Sequence, residues 1–418
     1  MNHVAFVIPG LDRLGGAERQ VMLLAKGLAR RGWRVSVVAL SGRGGDAASE
    51  LRAAGVEFVT LEMRKGLADP RGWIRFARWL RRAAPDVVHA HLPHATWLVR
   101  ASRLYTPSRV VLDTIHTSSI GSFGRRLGYR ITAGLPDCVT AVSQSAADAY
   151  VSAGMVKREG IAVLPNGIET SEWKPDAAVR AKVRTELGLT GELLWLAAGR
   201  LEPVKDYPTL LRAMTALPEQ ARLIIAGSGS LENELHAFSR KLGLAKRVVF
   251  LGFQPDVRRW MQAADGFVLS SRWEGLPMSL LEAGACGVGS AATSIPGVRE
   301  IVVEGETGFL AKAGSASDLG HTMLKWMHLP PDQRAAVGMR ARNRIAGQFS
   351  LDRALDRWEA LYGQLLTENQ SPRRRANLHQ NFPTSPITSR DDAAENADAR
   401  ADGPWPSTRG RAPRDSVS

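Results

Sequence analysis

The chain has 418 residues and a net charge of +14, a length that allows two or three domains, each able to bury its own core. Its only cysteines, Cys138 and Cys286, sit in apolar runs, which excludes a disulfide framework or zinc knuckle and points to a reduced, cytosolic protein. Residues 1–170 carry 23 basic and 13 acidic side chains, residues 171–367 carry 24 and 21, and the rest 8 and 7; the basic front half implies an anionic partner such as a phosphorylated substrate, a membrane surface or nucleic acid.

The opening run, residues 3–9, reads as a strand rather than a leader, and no apolar stretch is long enough to cross a bilayer. Further β-branched runs follow at 34–40, 56–62, 86–91, 109–116, 138–143 and 161–165. Amphipathic patterns such as 16–31 and 71–84 separate them, the alternation expected of parallel βαβ units. A second series covers 193–199, 222–227, 248–252, 266–271, 289–293 and 308–311, again with helices between. The break falls in the turn-rich stretch from Pro165-Asn166-Gly167 to Pro175. Two doubly wound α/β domains facing across a cleft are expected, at 1–172 and 173–349, with ligands beyond the carboxyl ends of the strands. A closing helix at 350–367 is followed by a tail, 368–418, rich in Pro, Arg, Ser, Asn and Asp and read as disordered.

Taken in chain order, Gly10-Leu11-Asp12-Arg13-Leu14-Gly15-Gly16-Ala17-Glu18-Arg19 joins the first strand to the first helix. Its paired glycines allow backbone to approach a ligand at a helix start, but the spacing is not that of a dinucleotide fingerprint. On the helix at 71–84, Trp73, Phe76, Ala77, Leu80 and Ala84 share a core-facing side. Arg75, Arg78, Trp79 and Arg82 are then left outside, a pattern that suits an anionic bilayer or a solvated basic face. His89, His91 and His94 invite a metal reading, yet no cysteine or carboxylate cluster completes a shell, so no metal is expected. No motif or stacking platform supports nucleic-acid binding.

In the second series, Gly199-Arg200-Leu201-Glu202-Pro203-Val204-Lys205 places two cations after a strand, suited to a diphosphate or merely solvated. Gly227-Ser228-Gly229, Gly252-Phe253 and Pro296-Gly297-Val298-Arg299-Glu300 supply further loops. The most informative passage is Glu274-Gly275-Leu276-Pro277-Met278-Ser279-Leu280-Leu281-Glu282. Pro277 suits a first helical turn, which puts Glu282 on a helix and Glu274 in the loop before it. The unpaired N–H groups and positive end of that helix favour phosphate, and the flanking carboxylates can accept hydroxyl hydrogen bonds.

The ordered set (Gly-Gly, a strand-end His, Pro-Asn-Gly, Gly-Arg-x(4)-Lys, Gly-Ser-Gly, Gly-Phe, Glu-x(7)-Glu, Thr-Gly-Phe-Leu) resembles the retaining glycosyltransferases of the GT-B fold, family 4, over roughly residues 3–366. The resemblance implies sugar transfer from a nucleoside diphosphate donor, with no cofactor. It assigns Arg200 and Lys205, beside Gly199 and Gly227, to the donor diphosphate. Glu282 falls to the ribose, Glu274 to the transferred sugar, and Phe253 to the neighbourhood of the base. By the same resemblance the amides near Gly275, Leu276, Pro277 and Met278 face phosphates or sugar. Gly15 and Gly16 come from the opposite domain, and His116, ending Thr114-Ile115-His116, matches a cleft histidine near the sugar. His116, Arg200, Lys205 and Glu274 are the implied catalytic set. The implied acceptor is a lipid-linked or cell-surface polysaccharide or glycolipid intermediate, with peripheral contact to the inner face of a membrane through the basic front domain. A sugar-nucleotide epimerase of the same fold, or a silent nucleotide-sugar binder, is the alternative.

Two departures from the family pattern stand out. Gly287-Val288-Gly289-Ser290-Ala291-Ala292 replaces the usual Gly-x-Pro-Val-Val, and Pro296-Gly297 replaces Gly-Gly. Small residues there are expected to loosen the wall beside the donor sugar.

Overall fold

A computed structural model describes residues 1–368 apart from Arg13, residues 65–68 and Pro107. Strands β1 (His3–Ile8), β2 (Arg34–Ala39), β3 (Glu57–Thr60), β4 (Val87–His91), β5 (Val110–Ile115), β6 (Cys138–Ala141) and β7 (Ile161–Val163) form one parallel sheet, ordered β3-β2-β1-β4-β5-β6-β7. Helices α1 (Gly16–Arg30), α2 (Gly45–Ala53), α3 (Pro70–Ala83), α4 (Pro93–Ser102), α5 (Phe123–Ile131) and α6 (Gln144–Ser152) connect them. A second parallel sheet holds β8 (Leu193–Ala198), β9 (Ala221–Ala226), β10 (Val248–Gly252), β11 (Gly266–Leu269), β12 (Ser290–Thr293) and β13 (Gly308–Ala311), ordered β10-β9-β8-β11-β12-β13. Around it lie α7 (Ala177–Glu186), α8 (Tyr207–Thr215), α9 (Glu232–Lys241), α10 (Arg258–Ala263), α11 (Met278–Ala285), α12 (Pro296–Arg299), α13 (Ala316–His328) and α14 (Pro331–Gln348); α15 (Leu351–Glu368) ends the described chain.

The central strands are buried along their whole length, as in β1, β5 and β8. Helices on both faces demand this, and it explains why the strands read as continuous apolar runs instead of alternating ones. Strand order reverses between β1 and β4 in one sheet and between β8 and β11 in the other. Each reversal opens a crevice at the carboxyl end.

The connection out of the first domain lies beside the chain's return. Ile168 N–H donates to Phe349 O at 2.8 Å and Leu351 N–H donates to Ile168 O at 2.8 Å. Gly167 fits this crossing because a Cβ there would come within 2.7 Å of the Ala354 side chain. Beyond it α15 packs on the first domain, with Leu355, Trp358 and Tyr362 in the same core as Val21 and Leu28. A Cβ at Gly27 would sit 2.6 Å from Leu355. Arg31 pins the outside of the joint through Asp356 at 2.7 Å and Glu359 at 2.6 Å. The helix runs through Glu368, so residue 368 belongs to it, while the expected disorder of the tail lies outside the described residues.

Three expectations about packing are corrected. On α3, Ala84 is exposed, because it ends the helix in a left-handed conformation (φ 43°). Trp79 is not an outward wedge: it stacks on Phe76 (ring centroids 6.4 Å, 9° between planes) and packs against the core. At Gly289, before β12, the expected loosening of the wall is also not seen: Trp326 takes up the space, lying where a Cβ at Gly289 would meet its ring at 2.3 Å. Gly297, the glycine that remains of the altered pair, is the one that is sterically required, since a Cβ there would reach Gly275 O at 2.2 Å.

Candidate active site

The loops after β8, β9, β10 and β11 all end at one edge of the second sheet and are knitted together by backbone. Gly199 N–H donates to Ala226 O (3.0 Å), Leu201 N–H to Ser228 O (2.9 Å) and Gly227 N–H to Gly252 O (2.8 Å). Gly227 adopts φ +150°, and a Cβ there would overlap Gly199 O at 1.9 Å. The Gly-Ser-Gly run is thus a packing requirement that brings two loops against each other. Phe253 follows at the end of β10 and is 61% exposed, a free aromatic surface at the same sheet edge.

Lys205 lies in the short turn before α8. Its Nζ donates to Glu274 Oε1 at 2.5 Å, and Ser271 Oγ donates to the same oxygen at 2.8 Å. Ser270 Oγ holds the Lys205 carbonyl (2.7 Å), and Tyr207 OH donates to Gly199 O (3.2 Å). Arg200 is exposed and has no ion pair among the described residues.

Pro277 immediately precedes α11, and the amides of its first residues, Met278 and Ser279, have no acceptor within the helix. Glu282, one turn in, is buried. Burial pushes its pKa up to about 7 despite Arg19, whose Nη1 lies 3.4 Å from Oε1. Arg19 comes from α1 of the opposite domain and also donates to Pro255 O (3.4 Å). Gly16 faces the same place, 3.4 Å from Met278 Cγ for an ideal Cβ. The amide of Gly15 is already taken, since it donates to Glu18 Oε2 at 3.0 Å.

The first domain's other contribution follows β5. A Cβ on Gly275 would reach His116 O at 2.4 Å, and Ser118 Oγ donates to Glu274 O at 3.0 Å. The His116 segment therefore lies directly over the loop that carries Glu274. His116 keeps some accessible surface, yet its packing lowers its pKa to about 4 by burial. Its Nε2 is 2.8 Å from His91 Nδ1. The other His91 ring nitrogen is buried without a partner among the described residues. A bare lone pair is the cheaper orphan than a buried N–H, so the network assigns the His91 proton to Nδ1, donating to His116, and the His116 proton to its own Nδ1. His91 packs against His89 with tilted rings (centroids 4.1 Å apart, 37° between planes). Tyr362 OH from α15 and Thr114 Oγ1 hold His89 at 2.8 and 2.6 Å. His94 lies apart, against Trp97. Among the described residues no cluster of three His, Cys, Asp or Glu is placed to hold a metal.

The structure thus brings Gly16, Gly199, Lys205, Glu274, Gly275, Met278, Glu282 and His116 to one crevice, with Gly227 and Phe253 along its edge. Arg19, Ser118, Tyr207 and Ser271 also belong to it, and no sequence pattern marked them. Glu300 adds a contact between the domains: its carboxylate accepts from the amides of Gln144 and Ser145 (2.9 Å each) at the start of α6.

Two doubly wound parallel domains closing a charged crevice between their switch points define a glycosyltransferase of the GT-B fold. The solved structure of Anabaena Alr3699/HepE in complex with UDP superposes with a TM-score of 0.76 at 23% identity, covering 87% of this chain and 100% of that one. A family model described as glycosyl transferases group 1 matches residues 179–344, and one described as glycosyltransferase family 4 matches residues 14–172. The chain belongs to the family-4 glycosyltransferases. Its relatives include the lipopolysaccharide core biosynthesis glycosyltransferase LpsE of Rhizobium meliloti, 29% identical over 82% of this chain and 94% of that one. A D-inositol 3-phosphate glycosyltransferase of Xylanimonas cellulosilytica is 27% identical over 88% of this chain and 94% of its own length.

Proposed function

We propose that the protein moves a sugar from a nucleoside diphosphate donor to a glycan on a lipid-linked or cell-surface precursor, with retention at the anomeric carbon. The observation that carries this is the pairing of Lys205 with Glu274 beside the amino end of α11, with buried Glu282 one turn further in. A diphosphate would take Lys205 and Arg200, and the helix end would add its amides and partial positive charge. Released from Lys205, Glu274 would accept hydroxyl hydrogen bonds from the sugar, and Glu282 from the ribose. UDP in the HepE complex and the lipopolysaccharide role of LpsE favour this donor and acceptor class.

Retention then follows by front-side displacement. The bond from the anomeric carbon to the diphosphate oxygen breaks, and its electron pair goes to the leaving group. A diphosphate oxygen accepts the proton of the acceptor hydroxyl as that oxygen bonds to the carbon on the same face. The protein stabilises the developing charge and needs no nucleophile of its own. His116, neutral and carrying its proton on Nδ1, serves as a hydrogen-bond donor near the sugar and not as a base. Nuclear magnetic resonance of the first-formed product tests the reading: it predicts the donor's anomeric configuration, and an inverted product or a donor epimerised without acceptor would overturn it.

A further inference from the structure

The amino ends of α1 and α11 meet across the crevice. Gly16 opens α1 without a side chain, and a Cβ there would lie 3.4 Å from Met278 Cγ at the start of α11. One turn further into each helix, Arg19 meets Glu282. Its guanidinium spans two parts of the second domain. Nη1 lies 3.4 Å from Glu282 Oε1, and Nη2 donates at 3.4 Å to Pro255 O, in the loop that begins at Phe253. Both contacts are long, against 2.6 and 2.7 Å where Arg31 braces the outer joint.

Stability does not explain this pair. Burial holds the Glu282 pKa at about 7 even with Arg19 in place, so the carboxylate costs folding free energy that its partner only partly offsets. The other charges nearby are engaged elsewhere or unfavourable. Lys205 is committed to Glu274, and Asp256, which repels Glu282, pairs with Arg258 at 2.9 Å. Arg258 and Arg342 act on Cys286 at the far end of α11. Among the described residues Arg19 is thus the one cation hydrogen-bonded to Glu282, and Glu282 Oε2 accepts no hydrogen bond. We infer that Arg19 is a positioning residue for the donor: from the opposite domain it holds Glu282 as an anionic acceptor for the ribose hydroxyls, so that ribose recognition needs both domains. A charged acceptor binds a hydroxyl about twice as strongly as a neutral one. This deepens the donor reading given above and rests on it.

The test titrates the full chain calorimetrically with UDP, GDP and ADP and with their 2′-deoxy forms. Parent affinity for one of the three should exceed that for its deoxy form by about tenfold. Arg19→Ala should remove most of that preference while the deoxy form binds almost as before, and Arg19→Lys, a charge without the fork, should recover part of it. In the parent the preference should grow as pH rises through about 7. In Arg19→Ala that rise should move to higher pH, a displacement that a simple brace between domains would not give. Arg19→Ala should cost nothing further in a Glu282→Gln background, and circular dichroism should show every variant folded. A parent without ribose preference, or an Arg19→Ala variant that keeps the parent's preference, would overturn the proposal and leave the diphosphate site standing. So would equal losses for ribose and deoxy forms, which would put Arg19 on the diphosphate. Failure of all three diphosphates to bind would overturn the donor reading and this inference with it.

Discussion

On the wall built by the second sheet the functional side chains are ionic: Lys205 against Glu274, Arg200 with no ion pair among the described residues, Glu282 facing a guanidinium from across the crevice. On the facing wall the segment after β5 offers the Ser118 hydroxyl and His116, an imidazole backed by buried His91 and His89, the latter hydrogen-bonded to Thr114 and Tyr362. The difference suits a reaction in which negative charge moves onto a leaving group on one side only. Cations are needed where that charge ends. A neutral donor on the other side can orient a sugar without competing for the diphosphate. The two walls also respond oppositely to protons, which makes the contrast measurable.

The largest effect is expected at Lys205. Lys205→Ala should reduce turnover by roughly two to four orders of magnitude while circular dichroism shows the folded protein, and near-normal turnover would remove the ionic wall from the mechanism. Next, Glu282→Gln should weaken donor affinity by about tenfold yet stabilise the free protein. Its raised folded pKa means the native state holds a proton that the unfolded chain has lost between 4.5 and about 7. Stability from this group is therefore present below the ordinary carboxylate pKa and lost as pH rises through about 7. Denaturant melts at pH 8 should show the variant more stable by about 1–3 kcal/mol, with the gain vanishing in acid.

A smaller effect, about tenfold in kcat with little change in KM, is expected for His91→Ala, because His116 loses the group that fixes its tautomer. His91→Asn, which retains a donor, should recover part of it. If both variants match the parent, the histidine stack is only core. Smallest is the response of turnover to pH. His116 titrates at about 4 in the folded state, so the rate should show no inflection from His116 near the ordinary histidine pKa, between about pH 5 and 7. His116→Asn should leave the shape of that profile unchanged while lowering its height.

Much of this molecule could be read from its sequence, for a physical reason. Strands buried on both faces give unbroken apolar runs, and parallel sheets put loops such as 199–205 and 274–277 at a common edge, so spacing alone implied a shared site. What escaped depends on contacts remote in sequence. Arg19 meets Glu282 only because two domains close, and Tyr362 reaches His89 only because α15 crosses back. Helix α5 escaped as well: Phe123, Leu127 and Ile131 have the spacing of a core stripe yet face out, because Arg100, paired with Asp113, holds Tyr129 on the inner side. On α3 the reverse happened, since Trp79 looked exposed by periodicity but found Phe76. Gly289 before β12 looked like a loosened wall until Trp326, 37 positions further along the chain, proved to fill the space.

The central claim is that one diphosphate is held jointly by Lys205, Arg200 and the start of α11. Thermal denaturation of the full chain with UDP, GDP and ADP, each compared with its monophosphate, tests it most directly. One diphosphate should raise the melting temperature well above its monophosphate, and Lys205→Ala and Arg200→Ala should each remove most of that difference. Equal shifts with mono- and diphosphates, or diphosphate shifts untouched by both substitutions, would contradict it.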